Sequence, residues 1–121
     1  MTAIRNTANT RANSVLSLYG QVAANQREGY KQLAKKLPFV VRSGGLSAGL
    51  VFLRSNTKYR TEAQLLLGHL AAVLEQHDGE ALIEHVLHLQ DPVEYLRMAR
   101  EALDFAVWVK RLSASDDGIG V

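Results

Sequence analysis

DPVEYLRMAREALDFAVWVKRL, residues 91–112, is the stretch that decides the fold class. Asp91 is placed to cap a helix, Pro92 to occupy its first position and Glu94 its third, the chemistry that helix starts prefer. From there Tyr95, Met98, Ala102, Phe105, Val109 and Leu112 alternate at spacings of three and four. That is one continuous apolar face of a helix, widened by Leu96, Ala99, Leu103, Ala106 and Val107. The remaining stripe is Arg97, Glu101, Asp104, Trp108 and Arg111, so the chain's single tryptophan lies among charges. Trp108 reads either as a boundary residue covering the core edge or as an anchor against a base or a partner.

Upstream, Thr61 with Gln64 matches a capping box. Ala63, Leu66, Leu67, Leu70, Val73 and Leu74 follow, with no charge between Glu62 and Glu75, which predicts a central helix. Asp78-Gly79 predicts a turn and Glu80 to Leu89 a short acidic helix. Nearer the start, Ala12, Val15, Leu16, Tyr19, Val22 and Ala23 trace a helical stripe that begins at Asn9 or Thr10. Its opposite face is uncharged and offers Ser14, Ser17, Gln21 and Asn25, so the helix is either well buried or covered by a neighbouring subunit. Glu28 to Lys36 reads as a short helix with Tyr30, Leu33 and Leu37 inward. Pro38 predicts a break or kink. Gly44-Gly45 predicts a turn that allows two backbones to cross closely, before Leu46, Leu50 and Leu53 resume the helical pattern.

Composition agrees with this reading. The 121 residues are 47% hydrophobic and 21% charged, with two prolines and no alternation of β-branched with polar residues, which disfavours an all-β chain. The expectation is all-α: a compact single-domain bundle of about five or six helices over residues 10–112, with flexible termini at 1–9 and 113–121. No apolar leader is seen near Met1, and the uncharged stretches read as too short or too polar to span a bilayer. A cytoplasmic protein with no membrane contact is expected.

The net charge of +2 conceals a split. Residues 1–60 hold ten Lys and Arg against one acid, Glu28, for +9; residues 61–121 hold four against eleven, for −7. Such asymmetry suggests a basic surface for nucleic acid beside an acidic one. Arg27, Lys31 and Lys35 follow one another at i+4, a cationic ridge with Lys36 beside it. With Arg42, Arg54, Lys58 and Arg60 they are candidates for phosphate contacts that tolerate any sequence.

Catalytic chemistry is poorly supported. The absence of cysteine excludes disulfides, thiol catalysis and Cys-based zinc sites. Gly44-Gly45 lacks the Lys-Ser/Thr of a phosphate-binding loop. His85 and His88 stand at i, i+3 without an HExxH motif or its inverse, and the four histidines read as surface or capping residues. No catalytic residue, metal, cofactor or small-molecule substrate is assigned.

Two runs carry a family likeness. Tyr30-Lys31-Gln32-Leu33-Ala34-Lys35-Lys36-Leu37-Pro38, followed by Arg42-Ser43-Gly44-Gly45-Leu46-Ser47-Ala48-Gly49-Leu50-Val51-Phe52-Leu53, resembles the small α-helical subunit of the type III-B CRISPR effector, the Cmr complex. Tyr95-Leu96-Arg97, Glu101-Ala102-Leu103 and Trp108-Val109-Lys110-Arg111 resemble that family's closing helix. The resemblance implies a non-catalytic subunit that stacks along the guide-bearing backbone and helps form the target-RNA groove. Its implied partners are other Cmr subunits, neighbouring copies of itself and the guide RNA–target RNA duplex. It assigns Lys31, Lys35, Lys36, Arg42 and Arg111 to RNA; charge alone adds Arg27, Arg54 and Lys58. Ser14, Ser17, Gln21 and Trp108 are expected at partner interfaces. The small subunit of the related type III-A effector is the alternative. A stand-alone helical regulator is disfavoured, because the helix after Gly45 is too apolar to read bases.

Overall fold

The computed structural model describes the backbone of residues 7–119 and the side chains of residues 13–114. Five α-helices occupy the described residues: α1 (Thr7–Gly20), α2 (Arg27–Arg54), α3 (Arg60–Val73), α4 (Gly79–His88) and α5 (Pro92–Ile119), with a 3₁₀ turn at Ala24–Gln26. The all-α bundle expected from sequence is what the chain forms. Of the ends expected to be flexible, residues 1–6 and 120–121 lie outside the described residues, while 7–9 begin α1 and 113–119 continue α5. Where it is described, α5 runs on past Leu112, and Ser113 is buried with its hydroxyl donating to the Lys110 carbonyl.

The α5 pattern translates directly into burial. Met98, Ala102, Phe105 and Val109 are fully enclosed, while Tyr95 and Leu112 pack at the margin. Asp91 caps as expected, its carboxylate accepting from the Val93 amide at 3.0 Å. Asp78 does the same for α4, accepting from Ala81 at 2.8 Å. The capping box at Thr61 does not form. α3 starts one residue earlier, and Asn56 Oδ1 takes up the Tyr59 amide at 2.8 Å instead.

The expected break at Pro38 is absent: α2 continues through it, and the interruption falls at Gly45, whose φ of 88° and ψ of 174° are not helical. Proline costs a helix one hydrogen bond and some crowding of the preceding turn. Here the flanking Leu37 and Val41 are buried on the side that faces the core, and that packing outweighs the local preference. At Gly45 a side chain has no room, because an added Cβ would lie 2.6 Å from the Tyr95 hydroxyl. That hydroxyl accepts the Ser47 amide at 3.1 Å, satisfying a donor that the kink strips of its helical partner.

α2 is the element on which α3, α4 and α5 pack, while α1 lies mainly against α5. Leu33 and Leu37 before the kink and Leu46, Leu50 and Leu53 after it join Leu66, Leu70, Leu82, Ile83 and Phe105 in one core. One 18-residue window of this helix reaches a mean hydropathy of 1.2, enough by length and composition alone to pass for a membrane span, as the buried core helix of a bundle also does. Its leucines are nonetheless enclosed by α3 and α5.

One histidine departs from the expected surface role. His69 on α3 is only 8% exposed, and its Nδ1 lies 2.7 Å from the Tyr30 hydroxyl, which is itself fully buried. Burial, and secondarily the neighbouring Tyr19, raises the Tyr30 pKa, so the phenol stays protonated. Burial also lowers the His69 pKa, so the imidazole stays neutral and accepts. The unfolded chain therefore takes up a proton near pH 6.5 that the folded chain refuses. The stabilisation is complete above that pH and is lost as pH falls toward the depressed folded value.

Two outcomes follow from these contacts. Gly45→Ala is expected to cost about 1–3 kcal/mol in urea denaturation, from the strained φ and the clash with Tyr95; an unchanged midpoint would show the kink to be pliable. His69→Gln, which keeps an acceptor for Tyr30, is expected to flatten the fall in Tm between about pH 7.5 and about pH 5 relative to the parent chain. Parallel Tm curves would exclude His69 as the titrating group.

Candidate nucleic-acid interface

The structure separates the eight cations that sequence assigned to RNA. Successive i+4 steps along a helix of 100° per residue drift by about 40°. A row of three therefore winds around α2, and its first two members turn toward protein. Arg27 Nε donates to the Val22 carbonyl at 3.2 Å, with the guanidinium 5.2 Å from the Tyr19 ring centre, latching the end of α1 to α2. Lys31 is 9% exposed, its ammonium 3.3 Å from the Glu28 carboxylate. It does not project from the expected ridge. Lys35 and Lys36, in contrast, are solvent-exposed.

Lys35 and Arg42 open onto a groove between α2 and α5. Tyr95 meets α2 at Ser47, while Ala106, Val107 and Lys110 meet it around Ala34 and Pro38, so the two helices run antiparallel. The groove encloses about 270 Å³ and is lined by Ala34, Lys35, Pro38, Phe39, Arg42, Ala106, Val107 and Lys110. Three cations thus converge with no acid among them, around a phenylalanine that is 73% exposed. Sequence reasoning missed Lys110 because it sits in the acidic half of the chain. The available signal was helical phase: Lys110 follows Ala106 at i+4 and Val107 at i+3 on one side of α5.

The other candidates lie apart from this groove. Arg54, at the far end of α2, pairs with Glu80 in the first turn of α4 at 3.2 Å. The Lys58 ammonium stands 5.3 Å from the Tyr59 ring centre in the α2–α3 connection. Arg111 covers the half-buried Trp108 ring at 5.0 Å. Arg97 donates to both carboxylate oxygens of Glu94, at 2.8 and 2.6 Å, and also to Glu101. Its hydrogen bonds hold the Glu94 pKa below the usual carboxylate range. Arg97 is thereby fixed to the surface of its own helix.

The neutral face of α1 is exposed at Ser14, Ser17 and Gln21. Ser14 and Ser17 join Asn13, Leu18, Ala72, Val73 and Glu75 around an open concavity of about 520 Å³. Val73 and Glu75 also line a smaller recess with Arg97 and Glu101 of α5. Among the described residues no three His, Asp or Glu side chains converge as a metal site would require. His85 and His88 are exposed, and His88 Nδ1 lies 2.9 Å from the Glu84 carbonyl at the end of α4.

Comparison with known proteins places this architecture. The profile of the family described as CRISPR-associated protein (Cas_Cmr5) matches residues 5–116. The chain belongs to the Cmr5 family. It is 41% identical over 85 residues to the CRISPR system Cmr subunit Cmr5 of Thermus thermophilus, a match spanning 69% of this chain and 71% of that one. It also superimposes on the crystal structure of a CRISPR-associated Cmr5 family protein from the same species, with a TM-score of 0.77 and 30% identity over 92% of this chain and 97% of that one. The likeness to the type III-B small subunit drawn from residues 30–53 and 95–111 therefore holds, and the type III-A alternative gives way to it. Within this Cmr5 fold, Tyr95 and Arg97 of the closing-helix motif are occupied in holding the bundle and its surface together.

Burial separates Lys31 from its neighbours in a measurable way. Lys31→Ala is expected to lower stability by about 1–2 kcal/mol, because its stem packs inside the bundle, whereas Lys36→Ala changes it by less than about 0.5 kcal/mol. Equal urea midpoints for the two variants would contradict the buried placement of Lys31.

Proposed function

We propose that this Cmr5-family chain is a non-catalytic structural subunit of a type III-B CRISPR effector in antiviral defence, contacting RNA through the α2–α5 groove. The observation that carries the RNA assignment is the convergence of Lys35, Arg42 and Lys110 without an acidic neighbour. Cations left without carboxylates favour phosphate, and their side chains are long enough to follow a backbone without reading bases. Lys36 lies on the same exposed side of α2 and extends the surface. The RNA partner is the guide RNA–target RNA duplex, and the site of action is the cytoplasm, with no membrane contact.

The remaining surface serves assembly. Other Cmr subunits and neighbouring copies of this chain are the protein partners. A basic N-terminal half and an acidic C-terminal half favour head-to-tail orientation of successive copies. The neutral α1 face at Ser14, Ser17 and Gln21, together with Trp108, supplies contact area without charge to desolvate. A stand-alone DNA-binding regulator fits less well, since Leu46, Leu50 and Leu53, which follow the glycine turn, are buried and leave no recognition face there.

In a reconstituted Cmr complex, Lys35→Glu combined with Arg42→Glu is expected to leave assembly intact and to weaken target-RNA retention at least about tenfold. The slope of log affinity against log salt should become shallower by about two. Full retention with an unchanged salt slope would refute an RNA-facing groove.

A further inference from the structure

Phe39 is the unexplained residue of the groove. Among the described residues it is the sole aromatic side chain that is mostly exposed, at 73%; Tyr59, Tyr95 and Trp108 are all half-buried. Leu16, Val51, Leu87, Val93 and Leu96 are exposed too, as scattered aliphatic side chains often are. None of these lines the groove. Phe39 follows Lys35 at i+4 and precedes Arg42 at i+3, so all three form one ridge of α2, with Val107 and Lys110 of α5 across the groove.

We propose that the α2–α5 groove binds an unpaired ribonucleotide, its base stacked on Phe39 and its flanking phosphates held by Lys35, Arg42 and Lys110. This rests on the RNA-facing assignment of the groove and adds to it the state of the RNA. A flat apolar ring framed by cations is the arrangement by which proteins hold single strands: the ring takes the face of any base, and the cations follow the backbone. A base inside a duplex is already stacked on both faces and offers none to a side chain, so stacking on Phe39 requires a nucleotide that has left the helix. The volume, about 270 Å³, is that of a site for one small moiety. An apolar protein segment is a poorer occupant, because covering Phe39 would bury three cations beside it without a counter-charge.

The test uses a reconstituted Cmr complex with target RNA carrying 5-iodouridine, which photo-crosslinks to aromatic rings stacked upon it. Expected is a crosslink mapping to Phe39, preserved in Phe39→Trp and absent in Phe39→Leu. RNA dissociation should accelerate by about 5-fold to about 150-fold in Phe39→Leu, and by less than about 3-fold in Phe39→Trp. Phe39 is exposed, so neither variant threatens the fold. If Phe39→Leu retains RNA normally and no crosslink reaches position 39 while Lys35→Glu with Arg42→Glu still releases RNA, stacking is overturned and the phosphate-binding groove stands. If neither the Phe39 nor the charge-reversal variants release RNA, both assignments fall. Loss of the Phe39→Leu chain from the complex would make the groove a protein dock and overturn the proposal.

Discussion

The bundle hangs on the contact between Gly45 and Tyr95. α3, α4 and α5 all pack on α2, and it is bent where a positive φ leaves no space for a side chain. A kink in a helix frees amide donors, and the Tyr95 hydroxyl accepts the Ser47 amide. That bond ties the middle of α2 to the first turns of α5. With the two helices antiparallel from that point, α5 reaches the N-terminal half of α2 and, about four turns after Tyr95, brings Lys110 opposite Lys35 and Arg42. The groove is therefore a consequence of alignment set at its far end by an uncharged contact.

Charge in this chain divides between work inside the bundle and work at its surface. Arg27 holds α2 to the chain before it, Lys31 pairs with Glu28 one turn back on α2 itself, Arg54 ties α2 to α4, and Arg97 bridges two carboxylates of its own helix. Lys35, Arg42 and Lys110 remain directed at solvent around Phe39. The linear split of +9 against −7 is thus weaker in space than along the chain, because one groove cation comes from the acidic half and some basic residues are paired internally.

Elements with a strong local signal were legible. The alternation from Tyr95 to Leu112 and the cap at Asp91 describe the start and buried face of α5, and the turn at Asp78-Gly79 marks the start of α4, since those patterns report local geometry. Pro38 misled because its preference is also local, while the packing of Leu33, Leu37 and Val41 that overrides it is tertiary. Lys31 misled because equal i+4 steps look like a straight row in sequence but wind around a helix. His69 read as a surface residue because its partner, Tyr30, lies 39 positions away. Lys110 became visible as a groove residue only once two distant helices were seen side by side.

That α5 follows the other four helices in chain order has a consequence for synthesis. Met98, Phe105 and Val109 complete a core whose other walls are made earlier, from Val15 to Val86. A nascent chain emerging N-terminus first can pack α3 and α4 on α2, but the side of α2 that α5 covers stays open until α5 has left the ribosome. Closure by contacts so distant in sequence is slow relative to helix formation. Until then, one apolar side of α2 lacks its cover. The hazardous interval is the one before α5 emerges, and chaperone demand should track the delay in making it.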